Sequence, residues 1–232
     1  MLKYEFHTEA RGALLDELYA LATRNVEHVE RCYIEKRLAR YNTVLTARSS
    51  DGSLAAFMCS NITSMQTPIP FLRLPMLHFG LSIVDHSFRA QGIARELPRV
   101  LIRHLKTLYP IRFFLFGIVL TAKCSSPASF RTIQRATEPL FVPRLDEHGL
   151  LVVPEFFNWA IRSVRTALQL ETQNSILLAG ANADGQFRLA PEVYDEAKDP
   201  ALFQHFAQHI LPSQSEVIAF GLWHPIKLLR RK

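Results

Sequence analysis

The chain has little cysteine, no long apolar run and none of the common hydrolase or nucleotide motifs, and each shortfall removes a class of protein. Cys32, Cys59 and Cys124 are its only cysteines. Three thiols with no metal-like or disulfide-like spacing suit a reducing compartment. The longest apolar stretches, such as Phe113 to Leu120, fall far below the ~20 residues that span a bilayer. The start of the chain lacks a basic stretch followed by an apolar one. A soluble, cytoplasmic protein is therefore expected. No Gly-x-Ser-x-Gly or P-loop pattern occurs. His205 and His209 have the spacing of a zinc pair on a helix, but Phe206 stands where a zinc hydrolase carries glutamate, so no metal is expected. Basic residues are not interleaved with aromatics, which argues against nucleic acid as a partner. Internal repeats and low-complexity linkers are absent.

What is present suffices for a sizeable core. The chain has 232 residues, 48% of them hydrophobic, consistent with one large domain. Its net charge of +6 favours an anionic ligand.

Residues His78 to Leu108 organise the rest. Leu77 to Val84 is nearly continuously apolar and reads as a buried strand. A short turn, Asp85-His86-Ser87-Phe88, leads into Arg89-Ala90-Gln91-Gly92-Ile93-Ala94. A helix follows, with Ile93, Leu97, Leu101, Leu105 and Leu108 on one face. Strand, glycine turn and helix form a geometry that binds phosphate, because the first helical amides lack partners and the helix dipole is positive there. Arg95, Arg99 and Arg103 recur along the polar face, near Lys106.

Arg89, Gly92 and Ala94 resemble the acyl-CoA signature of the GNAT N-acetyltransferase superfamily: Arg or Gln, two residues, Gly, one residue, then Gly or Ala. The resemblance implies an α/β fold on a mixed sheet, with a long C-terminal insertion before the last strand. Residues 1–140 would form the recognisable core and 141–232 would complete the sheet. It implies acetyl-CoA or another acyl-CoA as co-substrate, bound by Ser82, Ile83, Val84, Arg89, Gln91, Gly92, Ile93, Ala94, Arg95 and Ser126. The expected reaction is direct attack of a primary amine on the thioester. The resemblance leaves a homodimer open and does not identify the amine.

The flanking sequence follows the family's order. Leu2 to Phe6 reads as a first strand, Thr8 caps a helix from Ala10 to Thr23, and Val26 to Arg40 is a second helix in which Tyr33 is either a core aromatic or a wall residue of the acceptor pocket. Thr43 to Ala47 and Leu54 to Asn61 form a hairpin through Asp51-Gly52. Thr63 to Pro75 is expected to be irregular, with Phe71-Leu72-Arg73-Leu74 over the substrate channel. Pro98 predicts a kink near Ala94, since proline costs ~3 kcal/mol in a helix interior. Ile111 to Thr121 reads as a strand. Ser126 and Pro127 open the next helix.

Two departures bear on mechanism. The family's asparagine is here Ser126, and its proton-donating tyrosine is here Ile133. His78, eleven residues before Arg89, resembles the histidine base of some arylalkylamine acetyltransferases and is the candidate base, acting directly or through water, the other reading being a core or loop histidine. His86 is a structural or CoA-adjacent residue. Ser82, Ser126 and Ser129 are candidate proton relays, and Cys124 would be needed only for an acyl-cysteine route. Two alternatives remain: a CoA-binding sensor without catalysis, and a transferase for long acyl-CoA or acyl-ACP. Beyond Thr137 the resemblance fades. There Phe156 to Leu168 reads as a helix, Asn182 to Gly185 as a turn, Asp199 to Ile210 as a helix and Glu216 to Trp223 as a strand.

Overall fold

Gly12, rather than Thr8, caps the first helix, with a φ of 55°. The computed structural model describes residues 2–26, 29–89, 91–138, 140–170, 175–178, 199–213 and 215–224. The predicted turn at Asn182 to Gly185 lies outside them. The chain separates into two compact units, residues 1–62 with 77–110, and residues 63–76 with 111–232.

The first unit contains β1 (Lys3–His7), α1 (Ala13–Asn25), α2 (Arg31–Leu38), β2 (Thr43–Arg48), most of β3 (Leu54–Gln66), most of β4 (Arg73–Val84) and α3 (Ile93–Leu108). This is the order the resemblance implies. The strands lie β1-β2-β3-β4, with β1 and β3 antiparallel to β2. The β2–β3 hairpin turns at Gly52, where φ is 87°, and Ser49 N–H donates to Ser53 O at 3.0 Å. Leu18, Leu21 and Ala22 of α1 and Ile34 and Leu38 of α2 are buried with Val44, Leu45, Phe57 and Cys59 of the strands. α2 is shorter than its sequence suggests, and Cys32 on it is exposed.

On α3, Ile93, Leu97, Val100, Leu101 and Leu105 are buried, whereas Leu108 is half exposed at the last turn. Pro98 does not break the helix, which is unbroken from Ile93 to Leu108. Its first turn is formed, since Arg95 and Glu96 amides donate to Gly92 O at 3.0 and 3.1 Å. Proline leaves the Ala94 carbonyl without its usual donor, but Ala94 is exposed.

In the second unit the expected strand at Ile111 to Thr121 is instead two elements, α4 (Pro110–Phe116) and β5 (Ile118–Cys124). Pro110 suits a helix start, and Gly117, at a φ of 77°, ends it. A β-carbon there would fall 2.3 Å from Trp223 O. The Phe-rich run carries no period that separates strand from helix. β10 (Glu216–Trp223) pairs antiparallel with β5, from Val217 opposite Cys124 to Trp223 opposite Ile118, and on its other side with β6 (Phe141–Val142) and β9 (Leu177–Leu178). Gly221 on β10 is packed so closely that a β-carbon would meet Thr137 Oγ1 at 2.2 Å and Leu140 O at 2.7 Å. β7 (Arg144–Leu145) and β8 (Leu151–Val152) form a separate small ribbon.

α5 (Pro127–Thr137) begins as its sequence predicts, with Ser126 as cap and Pro127 at the first helical position. Phe130 on α5 meets Phe141 and Phe206 edge-on, at centroid distances of 5.0 and 5.9 Å. α6 (Asn158–Ala167) buries Ile161 and Val164 in a core with Met65, Met76, Val119, Ile218 and Phe220. α7 (Pro200–His205), capped by Asp199, continues into a π-helical turn over Phe206–Ile210. The segment expected to be irregular is instead the end of β3, a tight tip and the start of β4. Pro68 and Pro70 fall in the tip, where no ladder donor is needed. Phe71 there is 98% exposed, with a φ of 65°.

Candidate functional site

The turn between β4 and α3 is held from behind by α1. Asp85, directly after β4, has a buried carboxylate, 7% exposed. One oxygen accepts from Ser87 N–H at 3.0 Å and Ser87 Oγ at 2.6 Å, capping the 3₁₀ turn His86–Phe88. The other accepts from Nε and an Nη of Arg24, at 3.3 and 3.1 Å. Asp85 N–H donates to Ala55 O at the start of β3, at 2.9 Å. Burial pushes the Asp85 carboxyl up, but the Ser87 bonds and the Arg24 guanidinium more than offset it and bring the pKa to about 2. Asn25, the next residue of α1, accepts from an Arg89 Nη at 3.4 Å. Two residues at the C-terminus of α1 thus position both ends of the segment Asp85 to Arg89.

Gly92 caps α3 in the left-handed region, at φ 78° and ψ 5°. A β-carbon on it would meet nothing within 4 Å, so glycine is needed for its backbone angle and the space in front is open. The amides of Gly92, Ile93 and Ala94 donate to no carbonyl among the described residues. Arg89, Gln91, Gly92, Ala94 and Arg95 are exposed around them, while Ile93 is buried and anchors the turn. Glu96 pairs with Arg99 and Arg103, at 3.5 and 2.5 Å. Arg89 and Arg95 form no ion pair among the described residues. The expected arginine ladder therefore reduces to Arg95 beside the open amides. His86 is exposed, with Nδ1 3.3 Å from Asp85 Oδ1, which makes it a neighbour of the latch.

Further back on β4, Ser82 is exposed, Ile83 is buried and Val84 half-buried. His78 is 1% exposed. Its ring lies nearly parallel to that of Tyr41, 14° apart with centroids 6.2 Å from one another. A buried imidazole does not meet an acceptor amine directly. The half-buried group next to it is the Tyr41 phenol.

The second unit holds the remaining candidates. Ser126 is 3% exposed. Its hydroxyl accepts from Ser129 N–H at 3.2 Å and lies 3.0 Å from Ser129 Oγ, which donates to Ser126 O at 2.8 Å. Both hydroxyls are committed to the start of α5. Ile133, in place of the family's tyrosine, is buried. Cys124 is fully buried, and burial pushes its thiol up to about 12 against a weaker opposing bond from Ser129. At that value a nucleophilic thiolate does not form near neutral pH. Incubation with acetyl-CoA is expected to leave Cys124 unacylated, and iodoacetamide to label exposed Cys32 first. An acetyl adduct on Cys124 in intact-protein or peptide mass spectra would contradict a one-step transfer. His205 and His209 have ring centroids 5.0 Å apart, but no group of three metal-ligating side chains exists among the described residues. Burial, then the neighbouring His209, holds the His205 pKa below the usual range.

Asp85, Arg24, Asn25, Tyr41 and Gly80 were not singled out by sequence. An Asp two residues before Ser is a local turn signal; the others had none.

No protein-family model matches the sequence, and no curated protein is significantly similar to it. Solved structures do overlap with it. The chain is similar to the ribosomal-protein-S18-alanine N-acetyltransferase of Escherichia coli, at 16% identity and a TM-score of 0.42, over 62% of this chain and 79% of that one. It is similar to a ribosomal-protein-alanine N-acetyltransferase of Brucella melitensis biovar Abortus 2308, at 24% identity and 0.40, over 58% and 89%. The GNAT family N-acetyltransferase YhbS of Escherichia coli, crystallised in complex with CoA, gives 16% and 0.40, over 64% and 73%. At these values the functional assignment rests on the residues of the β4–α3 turn. Among the described residues no helix is long and apolar enough to cross a membrane.

Proposed function

We propose that the chain is a GNAT-type N-acyltransferase, transferring the acetyl group of acetyl-CoA to a primary amine by direct attack. The observation that carries this reading is the open start of α3: three amides without acceptors among the described residues, a left-handed glycine cap, and Arg89 and Arg95 before and after it in the chain. A pyrophosphate meets fixed donors and two cations there. Arg89, Gln91, Gly92, Ile93, Ala94 and Arg95 would hold that end of CoA, and Ser82 to Val84 would face the arm that carries the thioester. The Asp85–Arg24 pair lowers the cost of ordering the turn, because it is already held in place. His78 acts in proton transfer only through a group that reaches the surface.

One observation favours a second reading, a CoA-binding module without transferase activity: with Ile133 and the capped Ser126, the described residues of the second unit hold no recognised proton donor. The two readings separate in a thiol-release assay with acetyl-CoA and a panel of amines, including peptides with free N-termini. Transfer predicts amine-dependent release of CoA with a matching amide in mass spectra. Tight CoA binding with no amine-dependent release would establish the binding module instead.

A further inference from the structure

We propose that Tyr41 presents its phenol at the reacting end of the acyl-CoA site and protonates the departing thiolate. This rests on the acyltransfer reading above and adds a residue to it.

The backbone that carries the Tyr41 ring is held on both sides. Asn61, on β3, accepts from Asn42 N–H at 2.8 Å and donates through Nδ2 to Arg40 O at 3.0 Å. Asn42 Nδ2 donates to Ile62 O, and Ile62 N–H donates to Asn42 Oδ1, both at 2.9 Å. Tyr41 N–H donates to Leu38 O at 3.0 Å, closing α2. The residues before and after Tyr41 are therefore tied to β3, and its ring is directed over β4. A β-carbon on Gly80 would fall 2.3 Å from Tyr41 Cζ, 2.4 Å from Cε1 and 2.7 Å from the phenol oxygen. Only glycine leaves room for this ring at that position.

The level along the strand matters. His78, Gly80 and Ser82 share one face of β4, because side chains alternate. From Gly80 to Val84, where the strand meets the phosphate turn, four residues span roughly 13 Å. CoA carries its sulfur on a pantetheine arm built to span a distance of this order from its pyrophosphate. An arm laid along β4 from the turn brings the thioester to the level of Tyr41.

The chemistry balances with no further reactant. The amine nitrogen forms a bond to the thioester carbonyl carbon, the C–S bond breaks, and its electron pair stays on sulfur. The Tyr41 O–H gives its proton to that sulfur, leaving free CoA thiol. The phenolate then takes the proton released as the amide nitrogen is formed. A phenol and a thiol have ordinary pKa values within about two units of each other, so the transfer is nearly matched.

The test is ¹⁹F NMR of protein carrying 3-fluorotyrosine, with the Tyr41 signal assigned from a Tyr41→Phe sample, beside calorimetry on the same material. Acetyl-CoA is expected to move that signal, whereas 3′,5′-ADP, which has no arm, is expected to leave it unchanged. If calorimetry records acetyl-CoA binding and the signal stays still, Tyr41 is not at the thioester, and the acyl-CoA reading survives. If acetyl-CoA does not bind, both fall. With an amine that supports turnover, Tyr41→Phe should keep the ring on Gly80. It should lower kcat on the order of a hundredfold at unchanged KM for acetyl-CoA. An unchanged kcat would also overturn the role.

Discussion

Asp85→Asn is expected to destabilise the protein by about 2 kcal/mol at neutral pH and to change the shape of its acid unfolding. The variant keeps the size of the side chain but loses a buried carboxylate that accepts four hydrogen bonds, two from Ser87 and two from Arg24. The folded carboxyl titrates at about 2, and an unfolded one near 3.9. As the pH falls, the unfolded chain takes up the proton first. The stabilisation is therefore complete above about pH 4 and is lost between there and about pH 2. Asp51, whose pKa is also lowered to about 2, chiefly by the Ser49 hydroxyl, titrates in the same window in both proteins. The difference between the two profiles isolates Asp85. Urea unfolding over this range should show wild-type and variant converging as the pH falls. Parallel profiles would mean that the Arg24–Asp85 latch contributes nothing. Because that latch positions the proposed phosphate turn, the variant should also bind acetyl-CoA more weakly.

Gly92→Glu is the substitution with the largest expected effect on binding, a loss on the order of a hundredfold, ~2.7 kcal/mol, in affinity for acetyl-CoA. A side chain at φ 78° costs ~1–2 kcal/mol by itself. The new carboxylate also stands before the Ile93 and Ala94 amides, where the pyrophosphate is proposed to sit. Gly92→Ala separates the two causes. Its methyl group meets open space, so it has the backbone cost without the competing charge and should lose far less affinity. Equal losses in both variants would assign the effect to backbone strain alone.

Much of the fold was legible because its signals are local. Asp51-Gly52 marks a hairpin, Ser126-Pro127 and Asp199-Pro200 each mark a helix start, and the β-branched and aromatic run Glu216 to Trp223 marks a strand; all four appear where expected. Phe113 to Phe116 misled, because an aromatic run packs equally well in a short helix, and the break at Gly117 depends on close approach to Trp223. Pro98 warned of a kink, yet the first turn of α3 forms, secured by the Gly92 cap and the buried Ile93.

The turn between β4 and α3 was readable as a motif, but what holds it was not. Arg24 and Asp85 are 61 residues apart, and no spacing rule links them. Nor does a sequence announce that Gly80 is small for the sake of Tyr41. Nor does the sequence show that His78 is buried, with its ring parallel to that of Tyr41.

The central claim is that the start of α3 binds the phosphates of acyl-CoA. Calorimetric titration of the purified chain with acetyl-CoA, beside a variant carrying Arg89→Ala and Gly92→Glu together, tests it most directly. Micromolar binding by the wild-type chain, weakened by added salt and abolished in the variant, is the predicted result. No binding by the wild-type chain, or equal binding by both proteins, would contradict it.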